Sequence, residues 1–279
     1  MADQRIGVMQ GRLSPRPENR LQAFPHQTWP DEFAQAKRVG FSYLEWIYEA
    51  ERAEENPIAS NAGRAAIRAC AAASGLPVGS VCADYFMIHR LAGGTAEERS
   101  AHAAALSELV RWTRELGATR ILLPLLETSA LSTPEQVREA TESIRSVCPA
   151  LEAYDITLGL EMEIPGEQYA AVIRGIGHTH VRAYYDTGNS TAQGLDIATD
   201  ILPLLPLLEA VHLKDRVVGG TSQPFGRGAA NFSDFFGVLA RAGYTGDFLT
   251  QHYFDADPEA SAAHSLGFVQ GQLRARRAA

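Results

Sequence analysis

The chain has 279 residues, a formal net charge of −8 and 46% hydrophobic residues, which is typical of a globular protein with a large core. Its acidic balance argues against binding to a nucleic-acid backbone, which requires a basic face. No apolar run is long enough to span a membrane, and the N-terminus lacks a signal-peptide pattern. Three cysteines without paired spacing are typical of a reducing compartment. We therefore expect a cytoplasmic protein with neither a nucleic-acid nor a membrane partner.

Short apolar segments typical of buried strands alternate with helical patterns along the whole chain. The predicted strands begin at Arg5, Tyr43, Pro77, Arg120, Ile156, Val181, Leu208 and Asp247. The predicted helices cover residues 31–40, 61–75, 96–117, 133–155, 166–177, 200–209 and 231–244, and a last one begins at Pro258. Acidic first turns and terminal glycines such as Gly40 and Gly75 are the usual helix boundaries.

This alternation predicts the fold class. Strands that are separated by helices pair in parallel through right-handed crossovers. Eight such units in a chain of this length favour a closed (β/α)8 TIM barrel over an open sheet. No linker-like segment interrupts the pattern, so we expect residues 1–279 to form a single domain.

The active sites of such barrels lie at the carboxyl ends of the strands, and polar residues stand at these positions here. Most of them come directly after a predicted strand, and one lies in the glycine-rich loop after the seventh strand. The predicted substrate contacts are Arg12, Glu45, Asp84, Asn189, Lys214, Asp215, Arg227 and His252.

The stretch "LGLEMEI" on the fifth strand carries two carboxylates, Glu161 and Glu163, on one strand face. Two buried carboxylates side by side require a cation, hydrogen-bond donors or a raised pKa. The alternative for Glu163 is that the strand ends in solvent. We predict both as catalytic carboxylates, with repulsion between them raising one pKa.

Three side chains at matching ends of successive strands favour a metal site: Glu161, Asp186 and His212. Two carboxylates and an imidazole suit Mn²⁺, Mg²⁺, Zn²⁺ or Co²⁺. The alternative for His212 alone is a core histidine that is hydrogen-bonded to a neighbour. A cation at this point would bind vicinal sugar oxygens and stabilise an enediolate, while Glu161 or Glu163 moves the proton.

Four segments resemble the xylose isomerase-like TIM-barrel superfamily, in its sugar-phosphate isomerase/epimerase branch. They are "GVMQGRLSP" at Gly7, "SVCADYFM" at Ser80, "YYDTGNSTAQG" at Tyr184 and "VHLKDRVVGGTSQPFGRGAANF" at Val211. The resemblance implies a barrel, a divalent metal and isomerisation or 3-epimerisation of a ketose, often phosphorylated. It implies that Glu161, Asp186 and His212 bind the metal, for which we expect Mn²⁺ first, and that the chains assemble as dimers or tetramers.

The fourth ligand position departs from the ketose 3-epimerase pattern, because Gln251 stands where those enzymes have glutamate. Its carbonyl oxygen can bind a metal, so we include Gln251 among the ligands, but an amide cannot take a proton. Glu163, Glu127 or His252 are the alternative bases. The functional alternatives are a dehydratase acting on a keto-inositol or related polyol, and a non-catalytic sugar-binding barrel.

Overall fold

The computed structural model describes residues 4–16, 20, 22–254 and 256–277. Eight of its strands are parallel and form the barrel: β1 (Ile6–Met9), β2 (Tyr43–Ile47), β3 (Val78–Cys82), β4 (Arg120–Leu125), β5 (Thr157–Met162), β6 (Val181–Asp186), β7 (Leu208–Leu213) and β10 (Asp247–Thr250). The closed order is β1-β10-β7-β6-β5-β4-β3-β2, which confirms the predicted (β/α)8 fold. Two short strands, β8 (Asp215–Arg216) and β9 (Ser222–Gln223), form a separate antiparallel hairpin.

Helices follow the strands and cover the barrel. In chain order they are α1 (Trp29–Val39), α2 (Asn61–Ser74), α3 (Tyr85–Ile88), α4 (Ala96–Glu115), α5 (Pro134–Tyr154), α6 (Gly166–Ile176), α7 (Thr187–Ala192), α8 (Ile197–Asp200), α9 (Phe232–Arg241) and α10 (Pro258–Arg277). Capping boxes at Thr95 and Thr133 begin α4 and α5. Within the described ranges, every helix is too short or too polar to cross a membrane.

One predicted helix takes a different form. The segment expected to be helical over residues 200–209 is instead a 3₁₀ helix, Leu202–Leu207, that directly follows α8. Pro203 and Pro206 lie within it, and neither has an N–H to donate. An α-helix over residues 200–209 would lose the hydrogen bond at Pro206, and the ring of this proline would clash with the preceding turn, whereas the short 3₁₀ segment tolerates the prolines.

Side-chain alternation along β5 decides which residues enter the barrel. Gly159 faces the interior, where a Cβ atom would lie 2.7 Å from the Tyr184 ring. Since neighbouring side chains point to opposite faces, Glu161 faces the interior and Leu160 faces the helices. Glu163 lies beyond Met162, the last residue of the strand.

The same alternation places the side chains at the end of β10. Phe248 faces the helices, because its ring packs against Phe236 of α9 at 5.2 Å between centroids. Gln251 therefore faces the interior and His252 faces the helices. The strand ends at Thr250, earlier than predicted, although the Gln251 N–H still donates to the Leu213 carbonyl at 3.0 Å.

Candidate active site

Three neighbouring strands bring three of the four predicted metal ligands together at the carboxyl end of the barrel. Asp186 and His212 are register partners on β6 and β7, and Glu161 stands at the end of β5. One ligand atom from each of the three side chains lies within 4.8 Å of the other two, and all three residues are buried.

Glu45 orients the His212 imidazole. The Glu45 Oε1 atom lies 2.7 Å from Nε2 of His212, and its Oε2 atom accepts hydrogen bonds from Ser80 Oγ at 2.6 Å and Tyr184 OH at 2.9 Å. A carboxylate can only accept here, so His212 carries a proton on Nε2, and in the neutral imidazole Nδ1 keeps its lone pair. Nδ1 lies on the Asp186 side, 3.8 Å from Oδ2.

Glu45 was predicted as a substrate contact. In the structure its two carboxylate oxygens are engaged by these internal partners. Burial alone would raise the pKa of Glu45, but the charge and hydrogen bond of His212 outweigh it, aided by Ser80 and Tyr184. The pKa of Glu45 is therefore below its usual value, and the residue stays ionised. Its position is that of an outer carboxylate that fixes the orientation of a metal-binding histidine.

The two carboxylates of the cluster have opposite pKa shifts. Burial, followed by the charge of Asp186, raises the pKa of Glu161 well above its usual value. Burial also opposes ionisation of Asp186, but the charges of Lys214 and His212 lower its pKa. The like charge that acts most strongly on Glu161 is thus Asp186, whereas the sequence predicted Glu163 in that role.

The cluster fits a divalent cation. Asp186 Oδ2 and His212 Nδ1 are both buried, and neither has a hydrogen-bond partner among the described residues. Lys214 Nζ lies 3.2 Å from Asp186 Oδ2 as an ion pair without hydrogen-bond geometry. Buried polar atoms without partners are disfavoured, and a cation would satisfy both while offsetting repulsion between Glu161 and Asp186.

Asn189 positions Glu161, the third member of the cluster. Its Nδ2 donates to Glu161 Oε1 at 2.8 Å, and its backbone N–H caps α7 by donating to Asp186 Oδ1 at 2.9 Å. A residue on the short helix α7 thereby contacts two of the three members of the cluster. The structure brings this predicted residue directly to the site.

The opposite rim of the mouth carries a chain of amides and a carboxylate. Gln251 Nε2 donates to Gln22 Oε1, and Gln22 Nε2 donates to Asp84. Cys82 Sγ also donates to Asp84 Oδ1, at 3.2 Å. Burial raises the pKa of Asp84 above its usual value. Gln22 was not predicted, because it lies in the irregular loop between β1 and α1, where no periodicity marks its position.

Arg12 lies on the same rim and is buried. Its Nη1 donates to the His252 carbonyl at 2.9 Å, and its guanidinium lies 4.3 Å from the centroid of the Phe254 ring. Burial and the charge of Arg16 lower the pKa of Arg12 to about 10, so it remains charged at neutral pH.

A buried glutamate supports the loop that carries Arg12. Glu32, in the first turn of α1, accepts the Gly11 N–H at 2.9 and 3.0 Å through its two carboxylate oxygens. Burial raises the pKa of Glu32 to about 7. From the sequence, Glu32 was predicted only to mark the beginning of a helix, which is the more common role of acidic residues in a first turn.

Two predicted substrate contacts, Asp215 and Arg227, lie at the start of the segment after β7 and in its loop. Asp215 accepts three backbone hydrogen bonds within the loop after β7, from Gly226, Gly228 and Ala230 at 2.8, 2.9 and 3.2 Å. It thus shapes the loop. Arg227 is exposed and borders a separate cavity of about 400 Å³ beside α10.

The structure also places the three alternative bases that the sequence offers. Both ring nitrogens of His252 are buried without a hydrogen-bond partner in the described part of the chain. Burial, with the charge of Arg12, lowers the pKa of His252 to about 3, so it stays neutral on the helix side. Glu163 is half-buried beyond the end of β5, and burial raises its pKa. Glu127 is exposed.

Comparison with known proteins identifies the family. A family profile described as xylose isomerase-like TIM barrel matches residues 33–272. The chain belongs to this family. That membership confirms the resemblance in the sequence, and the matched region of this xylose isomerase-like barrel includes Glu161, Asp186 and His212.

Relatives of this xylose isomerase-like barrel include sugar epimerases. An L-ribulose-5-phosphate 3-epimerase of Salmonella paratyphi C (strain RKS4594) is 22% identical over 262 residues, covering 88% of this chain and 90% of the relative. The structure of an L-ribulose 3-epimerase superposes with a TM-score of 0.79 at 18% identity, covering 98% of this chain and 96% of the other. A xylose isomerase-like TIM barrel protein from Mycobacterium smegmatis in complex with magnesium gives a TM-score of 0.74 at 18% identity, covering 98% of both chains.

Proposed function

We propose that the protein is a divalent-metal-dependent epimerase or isomerase of a ketose or ketose phosphate. The observation that carries this proposal is the buried cluster of Glu161, Asp186 and His212, in which two atoms suited to bind a cation have no hydrogen-bond partner among the residues that the structure describes. The sugar epimerases among its relatives support the choice of substrate class. The oxygen and nitrogen ligands suit Mn²⁺, our first expectation, as well as Mg²⁺, Zn²⁺ or Co²⁺.

We assign the metal to Glu161, Asp186 and His212, with the carbonyl oxygen of Gln251 as a fourth ligand from the facing rim. The Gln251 amide nitrogen is engaged by Gln22, which leaves its oxygen for this role. When bound, the ion acts as a Lewis acid that polarises the substrate carbonyl and favours loss of a proton from the adjacent carbon. Magnesium in a structural relative is consistent with a hard cation.

The residues of the chain then supply proton transfer and orientation. Glu161 takes the proton, held in place by the hydrogen bond from Asn189. Glu163, half-buried on the same side, exchanges that proton with solvent. Lys214 and Arg12 border the mouth with positive charge and bind hydroxyl or phosphate oxygens of the substrate. Asp215 and Glu45 contribute indirectly, through the loop and through His212.

The test is metal content followed by proton exchange. The purified protein is analysed for bound metal, and then incubated in deuterium oxide with Mn²⁺ and a panel of ketoses and ketose phosphates. We expect about one metal ion per chain and deuterium in a recovered sugar. Asp186→Ala should lose the metal, since the cluster loses a ligand, whereas the exposed Asp31→Ala control should keep it.

Three results would contradict the proposal. Normal metal content in Asp186→Ala would refute the metal-site assignment. A metal-loaded parent protein that exchanges no proton with any ketose would refute the reaction class. Loss of water from a polyol substrate would instead support the dehydratase alternative.

A further inference from the structure

We propose that Asp84 is the second acid/base residue of the site, acting on the face of the substrate carbon opposite to Glu161. This inference rests on the proposed epimerase function. Epimerisation removes a proton from one face of a carbon and returns a proton to the other, so it requires a group on each side. One carboxylate on a fixed strand can reach only one face within hydrogen-bond distance.

The other titratable groups near the mouth are less suited to this second face. Glu163 lies directly after β5, the strand that carries Glu161, and so approaches from the same side of the barrel. Burial lowers the pKa of His252 to about 3, so its imidazole is a weak base and is not protonated at neutral pH. Gln251 faces the interior, but its amide has no proton to give at neutral pH and cannot take one.

Asp84 enters the mouth from a different side. It follows β3, which is separated from β5 by β4 in the barrel order. Through Gln22 its carboxylate is linked to Gln251 at the end of β10, and its charge is one of the lesser causes that raise the pKa of Glu161. Asp84 and Glu161 are thus two carboxylates that approach one mouth from two directions.

The rim network prepares Asp84 for this role. Gln22 and Cys82 donate to its two oxygens, and Gln22 is itself held by Gln251. These contacts fix the carboxylate orientation, while a carboxylate has about four acceptor positions and so retains capacity for a substrate proton. Burial raises the pKa of Asp84, which favours a form that can carry the proton to be delivered.

The proton balance is simple. Glu161 accepts the proton as the C–H bond breaks, and the electron pair moves into a carbon–carbon double bond while the carbonyl oxygen becomes an oxyanion. Protonated Asp84 then donates its proton to the same carbon from the opposite face, and the carbonyl re-forms. Glu161 ends protonated and Asp84 ionised. Reaction of the other epimer reverses both roles.

The test compares hydrogen exchange from the two epimers in Asp84→Asn. Removal of the second base should lower epimerisation at least about a hundredfold, within the usual range for general acid–base groups. In deuterium oxide, the variant should still exchange the proton of the epimer that Glu161 deprotonates. It should exchange none from the other epimer. The metal content of Asp84→Asn should equal that of the parent. The exposed control variant Glu97→Gln should match the parent in both metal content and epimerisation.

A second variant guards against a merely structural effect. Asp84→Glu restores a carboxylate and should recover part of the epimerisation, whereas an effect of altered packing would not be reversed by a longer side chain. Epimerisation within about threefold of the parent in Asp84→Asn would overturn the inference, as would equal loss of exchange from both epimers. Failure of the parent protein to exchange any ketose proton would refute the proposed function instead.

Discussion

The two ends of the barrel both bury charged side chains, but they balance them differently. At the amino-terminal end, Arg120 pairs with Asp247, which also binds Arg5 at 2.5 Å. Glu209 lies 3.7 Å from Arg120 and 3.8 Å from Arg182, so each carboxylate here faces arginine. At the mouth, Asp186 forms an ion pair with Lys214 at 3.2 Å, but its charge also raises the pKa of neighbouring Glu161, and Asp186 and His212 contain buried atoms without hydrogen-bond partners in the described chain.

This contrast separates stability from function. Charges that are paired within the fold need no ligand, whereas the neighbouring buried carboxylates Glu161 and Asp186 support the proposed cation. Cavity size alone would mislead, because a cavity of about 550 Å³ lies at the amino-terminal end. The distribution of charge is therefore the better guide to the site.

The largest expected effect comes from breaking the balanced end. Asp247→Asn leaves buried Arg120 without its closest carboxylate, which should lower the free energy of unfolding by about 3–5 kcal/mol. Urea denaturation measures this change, and metal binding should be unaffected. The exposed pair of Arg38 and Glu259 provides a control, since Glu259→Gln should cost less than about 1 kcal/mol. If Asp247→Asn lowered the free energy of unfolding no more than Glu259→Gln does, the paired charges at the amino-terminal end would not stabilise the fold as this contrast requires.

A smaller effect concerns Glu32, a buried carboxylate on the mouth side. Its pKa is raised from 4.5 to about 7, so folding takes up a proton between these pH values. The stability from this group is fully present below pH 4.5 and is lost as pH rises through 7, by up to about 3 kcal/mol.

The corresponding measurement is urea denaturation at pH 5 and pH 8 with a chelator present. Glu32→Gln should lose less stability between these pH values than the parent, because the group no longer titrates. The exposed control variant Glu97→Gln should lose as much stability between pH 5 and pH 8 as the parent does. If Glu32→Gln lost as much stability between pH 5 and pH 8 as the parent, Glu32 would not titrate in this pH range.

The sequence predicted the barrel and the metal cluster because both follow from periodic features. Strand and helix alternation determines the order of elements, and Glu161, Asp186 and His212 occupy equivalent strand ends. Partners that depend on irregular segments were not predictable. Gln22 reaches Asp84 from a loop, and Asp215 accepts hydrogen bonds from a glycine-rich loop that has no periodic pattern.

The contacts of Glu45 could not be predicted from side-chain alternation alone, because they also depend on the register between neighbouring strands. Its strand end was predicted, but a register shift between Leu44 and Glu45 pairs Glu45 with Ser80 on β3. That pairing places the Ser80 hydroxyl on the Glu45 carboxylate, which faces His212 across the barrel. Sequence pattern specifies the face of a strand, whereas the contact partner depends on three-dimensional register.

The smallest predicted effect tests how this inner carboxylate serves the mouth. Glu45→Gln removes the negative charge that holds the His212 proton on Nε2 and makes the imidazole a better ligand. Loss of such an outer carboxylate should weaken metal affinity about 10–100-fold, measured by competitive titration with a chelator. Ser80→Ala is the matched control, because it removes one donor to Glu45 but keeps the carboxylate on His212. Its affinity should stay closer to that of the parent. Equal weakening in both variants would mean that packing around Glu45, rather than its charge, governs His212.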